Sequence, residues 1–401
     1  MTGSGLSPAR LLRLRDVMNR HVDSGQVPGL VALVARRGEV HVTAAGTMAA
    51  GGGGGPMTRD AIFRIASVTK QITAAAAMIL VEECRLQLDD PVDGLLPELA
   101  GRRVLRQPGA PLGDTVPARR PITLRDLLTF RMGLGVVMAP PGTYPIQQAM
   151  EDAGLAAGPW GPPFGTEEWI KRLASLPLMY QPGEKWMYHT SADVLGVLMS
   201  RAAGEPLDEL LAGRLLRPLG MTDTGFTVPE GQLSRMPAAY QPDPVTGTLR
   251  LDEANDRARW ASPPAFLSGG GGRGLASTAD DLLAFCTMLL GKGRHGGRRI
   301  LSRPSLEVMT TDQLTEEQKA ENEVFFRGDS GWGFGFNVRT RRTGLAAPGQ
   351  FGWTGGTGTI VYTDPAEELI GILLTQRGMG SPLPTPVFND FFTCAYQAID
   401  D

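Results

Sequence analysis

The sequence predicts an α+β fold, an antiparallel sheet flanked by helices and interrupted by an inserted, mostly helical subdomain. Three observations predict it. β-rich runs lie near both ends of the chain, at 30–45 and again between 331 and 374. Helical periodicity fills much of the chain between them. The run Ile72 to Val81 has almost no polar face, which marks a helix buried in a core. The expected organisation is one unit over 1–401, with an α/β part from 1–64 plus 275–401 and a helical part over 65–274.

Residues 8–23 read as an amphipathic helix, with Leu11, Leu12, Leu14, Met18 and Val22 roughly on one side. After Pro28-Gly29, Leu30 to Ala35 and Val40 to Ala45 form a hairpin about Arg36-Arg37-Gly38. Gly51 to Gly55 is a loop, and Ile62 to Ile65 is a short strand leading into Ser67. Leu88 to Val92 turns the chain into another helical segment, and Arg102 to Arg120 is a Pro/Gly/Arg-rich loop. Thr123 caps a short helix over Leu124 to Leu128. Gly133 to Gly165 is irregular, punctuated by Tyr144, Trp160 and Phe164, and 227–264 is a second irregular region. A stretch as long as 133–165 without regular structure inside a domain usually lies over a functional site or is mobile. Helices return at Glu167 to Leu176, Ser191 to Ala203 and Leu207 to Leu216. Gly269 to Gly274 is a glycine-rich turn, and Ser277 to Asp280 caps a helix running to Leu290. Gly331 to Val338, Thr357 to Thr363 and Leu369 to Leu374 are strands, and Phe388 to Ile399 is a closing helix.

A chain of 401 residues can bury a large core. The net charge of −3 provides no basic field, which argues against nucleic acid as a partner. No apolar run reaches about 18 residues, so no membrane span is expected. Met1 to Val22 lacks the charged-then-apolar order of a signal peptide, and a cytoplasmic location is expected. Cys84, Cys286 and Cys394 read as buried free thiols. His21, His41, His189 and His295 show no metal-ligand spacing, so neither metal nor cofactor is expected. The oligomeric state is not legible.

The chemistry concentrates at Ile65-Ala66-Ser67-Val68-Thr69-Lys70. Residues three apart on a helix share a face, which brings the Ser67 hydroxyl and the Lys70 amine within hydrogen-bond reach. A serine becomes a nucleophile beside a base, and unpaired N–H groups at a helix start can hold an oxyanion. The chain has five lysines, and only Lys70 has a serine three positions before it. By itself the pair also fits a capping serine and a solvated lysine, although that lysine enters an apolar helix. A lysine acts as a base only when its pKa is lowered. Tyr188, delivered to a helix start by Pro182-Gly183, can share its proton or can simply pack there. Phe351 to Thr359 is rich in glycine and is either a ligand-approaching segment or a hairpin turn. Two stretches are decoys. Gly328-Asp329-Ser330-Gly331 copies a serine-protease tetrapeptide without the all-β context, and Gly269 to Gly274 lacks the ending of a phosphate loop.

Together these segments resemble the serine β-lactamase and penicillin-binding superfamily, most closely class C β-lactamases and family VIII carboxylesterases and acyltransferases. Supporting stretches, in order, are Leu88 to Val92, Ile122 to Thr129, Gln181-Pro182-Gly183, Leu216 to Met221, Gly272 to Asp280 and Gly331 to Phe336. The resemblance implies a β-lactamase-like fold and a covalent acyl-enzyme on Ser67. It implies that Lys70 and Tyr188 share general base and acid work, and that the Ser67 and Gly356 backbone N–H groups form the oxyanion hole. Trp353-Thr354-Gly355 then corresponds to the strand motif beside the site, with Thr190 and this strand contacting substrate.

Two departures set the expected activity. The lactamase tyrosine motif ends in asparagine where this chain has Thr190, and the strand motif starts with lysine or histidine where this chain has Trp353. An indole cannot pair with a β-lactam carboxylate. The expectation is therefore a carboxylesterase acting on small to medium acyl esters, with a small-molecule ester or acyl donor as its partner. The alternatives are an acyltransferase serving a larger metabolite, a weak β-lactamase or D-amino acid peptidase, and a catalytically idle relative used for binding.

Overall fold

Leu30 to Ala35 contains no polar side chain, and the strand it forms is covered on both faces. The computed structural model describes residues 3, 5–156, 158, 161–253, 256–270 and 272–401; Trp160 and Gly271 lie outside the described residues. The chain runs through helix α1 (Pro8–Asp23), strands β1 (Gly29–Arg36) and β2 (Glu39–Gly46), the short β3 (Phe63–Ala66) and helix α2 (Thr69–Glu82). Helix α3 (Thr190–Ala203), β4 (Leu275–Ser277) and helix α4 (Ala279–Leu290) follow. Strands β5 (Ser330–Trp332), β6 (Asn337–Arg339), β7 (Phe351–Gly355), β8 (Thr359–Asp364) and β9 (Leu369–Thr375) precede helix α5 (Pro386–Gln397).

Seven strands form one sheet in the order β5-β6-β7-β8-β9-β1-β2, with every neighbouring pair antiparallel. The two ends of the chain meet where β1 pairs with β9, from Leu30 opposite Thr375 to Arg36 opposite Leu369. Strand alternation sorts the side chains into two layers. Val31, Leu33 and Ala35 join Ile370, Ile372 and Leu374 on the face that packs against α4, in the core cluster that also contains α2. Leu30, Ala32 and Val34 join Leu369 and Leu373 on the other face, beneath Met18 of α1 and Phe388 and Phe391 of α5.

Residues Thr69 to Leu80 of α2 are all buried. Its Ala74-Ala75-Ala76-Ala77 run has side chains small enough for close approach, and α3 and the helix Leu207–Leu211 pack against it. Among the described residues no helix is long and apolar enough to cross a membrane.

The structure corrects several sequence expectations. Gly331 to Val338 is not one strand but a tight hairpin, with Gly333 N–H donating to Phe336 O at 2.8 Å. A Cβ on Gly335 would lie 2.6 Å from Ala74, so the chain turns back there against α2. The segment from Phe351 is itself strand β7, not a turn before one. Its Gly352 is required because a Cβ would meet Val361 O at 2.1 Å. The loop expected at 102–120 contains a hairpin, Arg103–Leu105 with Thr115–Pro117. The irregular regions hold a helix at Pro145–Asp152 and a hairpin of Tyr240–Pro242 with Leu249–Leu251. Cys84 is exposed, because the chain reverses just past α2 and takes a left-handed φ of 57° there; Cys286 and Cys394 are buried free thiols.

Candidate active site

Strand β3 carries the chain to Ser67. Its pairing with β4 shifts register between Arg64 and Ala66, and Ala66 adopts φ 42°, a left-handed conformation uncommon for a residue with a side chain. That kink leaves Ser67 half-buried just ahead of α2. The helical turn forms at once, with Val68 N–H donating to Ile65 O at 3.0 Å and Lys70 N–H to Ser67 O at 3.1 Å.

Lys70, the second residue of α2, is 1% exposed. Its Nζ donates to Ser67 Oγ at 2.9 Å and to the carbonyl of Gly270, and lies 4.7 Å from the centre of the Tyr188 ring. Burial pushes the Lys70 amine down from 10.5 to about 7, against the opposing pull of the Asp193 carboxylate. At neutral pH a large share of this amine is therefore unprotonated and able to accept the serine proton.

Tyr188 stands before α3 in a cage of rings. Phe130, Trp186, Phe325 and Trp353 have centroids 5.9, 5.7, 5.5 and 5.6 Å from its own. Trp353 Nε1 donates to Tyr188 Oη at 2.6 Å. Burial pushes the Tyr188 phenol up to about 12, while hydrogen bonds from Ser67 and Trp353 work the other way. The phenol is thus protonated at rest, and Lys70 is the group able to act as base near neutrality. Trp353→Phe keeps a ring and removes the donor. One hydrogen bond of about 1.4 kcal/mol corresponds to a kcat lower by roughly tenfold; a steady-state assay showing unchanged kcat would mean this hydrogen bond is irrelevant to turnover.

The β7–β8 turn is clamped onto the strand that precedes Ser67. Thr357 Oγ1 donates to Arg64 O, Thr359 Oγ1 donates to Ile65 O at 3.3 Å, and Met379 N–H holds the Gly356 carbonyl at 2.8 Å. Gly355 allows this approach, since a Cβ there would lie 2.3 Å from Ile65 O. Among the described residues neither the Ser67 nor the Gly356 backbone N–H has a protein acceptor. Both are therefore able to receive an oxyanion.

Ser67, Lys70, Tyr188 and Trp353 are brought together by these contacts. Thr190 opens α3 and is buried, and Thr354 is half-buried in β7; no hydrogen bond among the described residues ties either to Ser67, Lys70 or Tyr188. Ser330 of the protease-like tetrapeptide is buried, donating to Phe326 O and accepting from Asn337 Nδ2, each at 3.0 Å. Among the described residues no three His, Cys, Asp or Glu side chains converge as a metal-ligand set. The Gly270 acceptor and the ring cage were not anticipated from sequence. One signal was available: a lysine inside an apolar helix needs a buried acceptor, and a glycine-rich turn can bring a carbonyl close.

The beta-lactamase family model matches residues 14–384. Esterase EstB of Burkholderia gladioli is 32% identical over 408 residues, covering 96% of this chain and 97% of EstB. The chain belongs to the beta-lactamase family. It is a serine hydrolase of that family. Protein Rv1367c of Mycobacterium tuberculosis is 41% identical over 342 residues, covering 81% of this chain and 79% of that protein. Among solved structures, EstCE1, a hydrolase with promiscuous acyltransferase activity, superposes with a TM-score of 0.78 at 24% identity, covering 98% of this chain and 99% of its own. That match shows the beta-lactamase fold, with its mainly antiparallel sheet and flanking helices.

Proposed function

We propose that this beta-lactamase-family protein is a carboxylesterase that forms its acyl-enzyme on Ser67. The observation that carries the reading is the 2.9 Å contact between Ser67 Oγ and a fully buried Lys70 amine lowered to about 7. As Ser67 Oγ attacks the ester carbonyl, its proton passes to Lys70 Nζ. The carbonyl oxygen becomes an oxyanion held by the Ser67 and Gly356 N–H groups. Collapse breaks the bond to the alcohol, which leaves with a proton supplied by Lys70 through the Tyr188 phenol. Water then attacks the acyl-enzyme along the reverse proton route and releases the acid.

Two features favour an ester over a β-lactam. The first residue of the strand motif is Trp353, which donates its only polar hydrogen to Tyr188 and carries no charge for a carboxylate. EstB, with its esterase name, aligns along nearly the whole chain. Acyl transfer to a bulky alcohol is the second reading, favoured by the activity named for EstCE1. It uses the same residues with an alcohol in place of water.

The test is turnover of p-nitrophenyl acetate, butyrate and octanoate beside a chromogenic cephalosporin, with Ser67→Ala as the blank. Ester hydrolysis that disappears in Ser67→Ala, with little cephalosporin cleavage, is the expected result. Dominant cephalosporin cleavage would overturn the esterase reading. No hydrolysis, with Ser67 still labelled by a phosphonate, would transfer the reading to an acyltransferase.

A further inference from the structure

Among the described residues Thr190 makes no hydrogen bond to Lys70, and the second anchor of the amine is the Gly270 carbonyl, so what holds that carbonyl matters. Ser268 lies at the centre of a small buried network beside it. Its Oγ donates to Asp193 Oδ1 at 2.6 Å and accepts from the backbone N–H groups of Gly270 at 3.1 Å and Gly272 at 2.7 Å. Ser268 and Asp193 are 2% and 6% exposed. The turn is wedged between two helices. A Cβ on Gly269 would sit 1.9 Å from Ala192 O of α3, and one on Gly270 would sit 2.7 Å from Lys70 Cγ of α2. Asp193 belongs to α3, so the network ties the helix that follows Tyr188 to the carbonyl that holds Lys70.

We infer that Asp193 is a positioning residue for Lys70, acting through Ser268 to fix the turn whose Gly270 carbonyl holds the amine beside Ser67. The inference rests on the reading of Lys70 as the base. Among the described residues the amine touches Ser67 Oγ and the Gly270 carbonyl, and the titratable groups facing it are Tyr188, His189 and Asp193. His189 Nε2 lies 4.0 Å from Asp193 Oδ2. Burial, and then the charge of Lys70, hold His189 well below 6.5, so it stays neutral and does not produce a limb near pH 7. The Asp193 carboxylate favours the ammonium form of Lys70. Removing that charge makes the amine lose its proton at lower pH, and since the neutral amine is the active form, the enzyme gains activity on the acid side.

Asp193→Asn keeps an oxygen that can accept from Ser268 and removes the charge. The expected result is an acid limb of kcat/KM displaced downward by about half a pH unit or more. Ser268→Ala leaves the charge and cuts the link, and its kcat falls by about tenfold or more. A merely structural role lowers the melting temperature without moving the limb, so circular dichroism melts accompany both profiles. A limb that stays in place or moves upward in folded Asp193→Asn overturns the inference, as does full kcat in Ser268→Ala. Where Asp193→Asn does not fold, Ser268→Ala decides alone on kcat. Absence of any ascending limb near pH 7 in the unsubstituted enzyme, or full turnover in Lys70→Ala, removes Lys70 as base and the role of Asp193 with it. A normal unsubstituted profile with an unmoved variant profile removes Asp193 alone.

Discussion

Lys70→Ala lowers ester turnover by at least ~10²-fold, the lower end of what general acid–base catalysis contributes. The loss falls on kcat, because the Lys70 amine touches Ser67 Oγ, the proposed nucleophile, and is itself buried. Lys70→Met separates chemistry from packing, since it fills most of the same channel without an amine and should be as inactive as Lys70→Ala. The pH profile gives a second handle. A base must be neutral to accept the serine proton, so kcat/KM rises with pH through about 7, where the buried amine loses its proton, and is level above that. Tyr188, pushed up to about 12, imposes no limb between pH 6 and 9. An ascending limb near 7 that persists unchanged in Lys70→Met, or a Lys70→Met enzyme retaining a tenth of the activity, would take Lys70 out of the base role.

The parts of this site that were legible in the sequence depend on local spacing. Ser67 and Lys70 share one turn, so the geometry that joins them is written in three residues, and the apolar run after them announces the burial that lowers the amine. The β1–β2 hairpin and α1 were equally plain, because each is an uninterrupted periodic segment between turn residues. What stayed hidden depends on non-local packing. Glycines in 331–338 and 351–355 read as a smooth strand and a turn, whereas they mark a hairpin and a strand pressed against α2 and against the Ser67 segment. Trp353 read as the loss of a carboxylate ligand. Its positive role, donating to Tyr188 across 165 positions of sequence, arises only when β7 lies beside the start of α3. Asp193 and Ser268, 75 positions apart, carried no local signal at all.

Gly355→Ala tests the other half of the proposed site, the oxyanion hole assigned above to the Ser67 and Gly356 N–H groups, without touching a side chain proposed to react. The Gly356 N–H is aimed by the β7–β8 turn, and that turn is fixed by Thr357 and Thr359 bonding to the carbonyls of Arg64 and Ile65. An added Cβ would lie 2.3 Å from Ile65 O and 2.3 Å from Thr359 Oγ1, and the first of these is backbone that cannot rotate away. Either the turn or the Ser67 segment must then shift by a substantial fraction of an ångström. The pairing of β7 with β8 continues through Phe351, Gly352, Trp353 and Thr354, so the sheet survives the substitution. The expected result is a folded enzyme with kcat lower by about 10²–10³-fold, the loss seen when one oxyanion donor is removed. KM changes much less, because the donor matters most when negative charge has developed on the carbonyl oxygen. Because Lys70 is untouched, the ascending limb of kcat/KM stays near pH 7, which distinguishes this variant from Asp193→Asn. A folded Gly355→Ala protein with near-normal kcat would mean that the Gly356 N–H is not an oxyanion donor and that the clamp on Ile65 serves the fold alone.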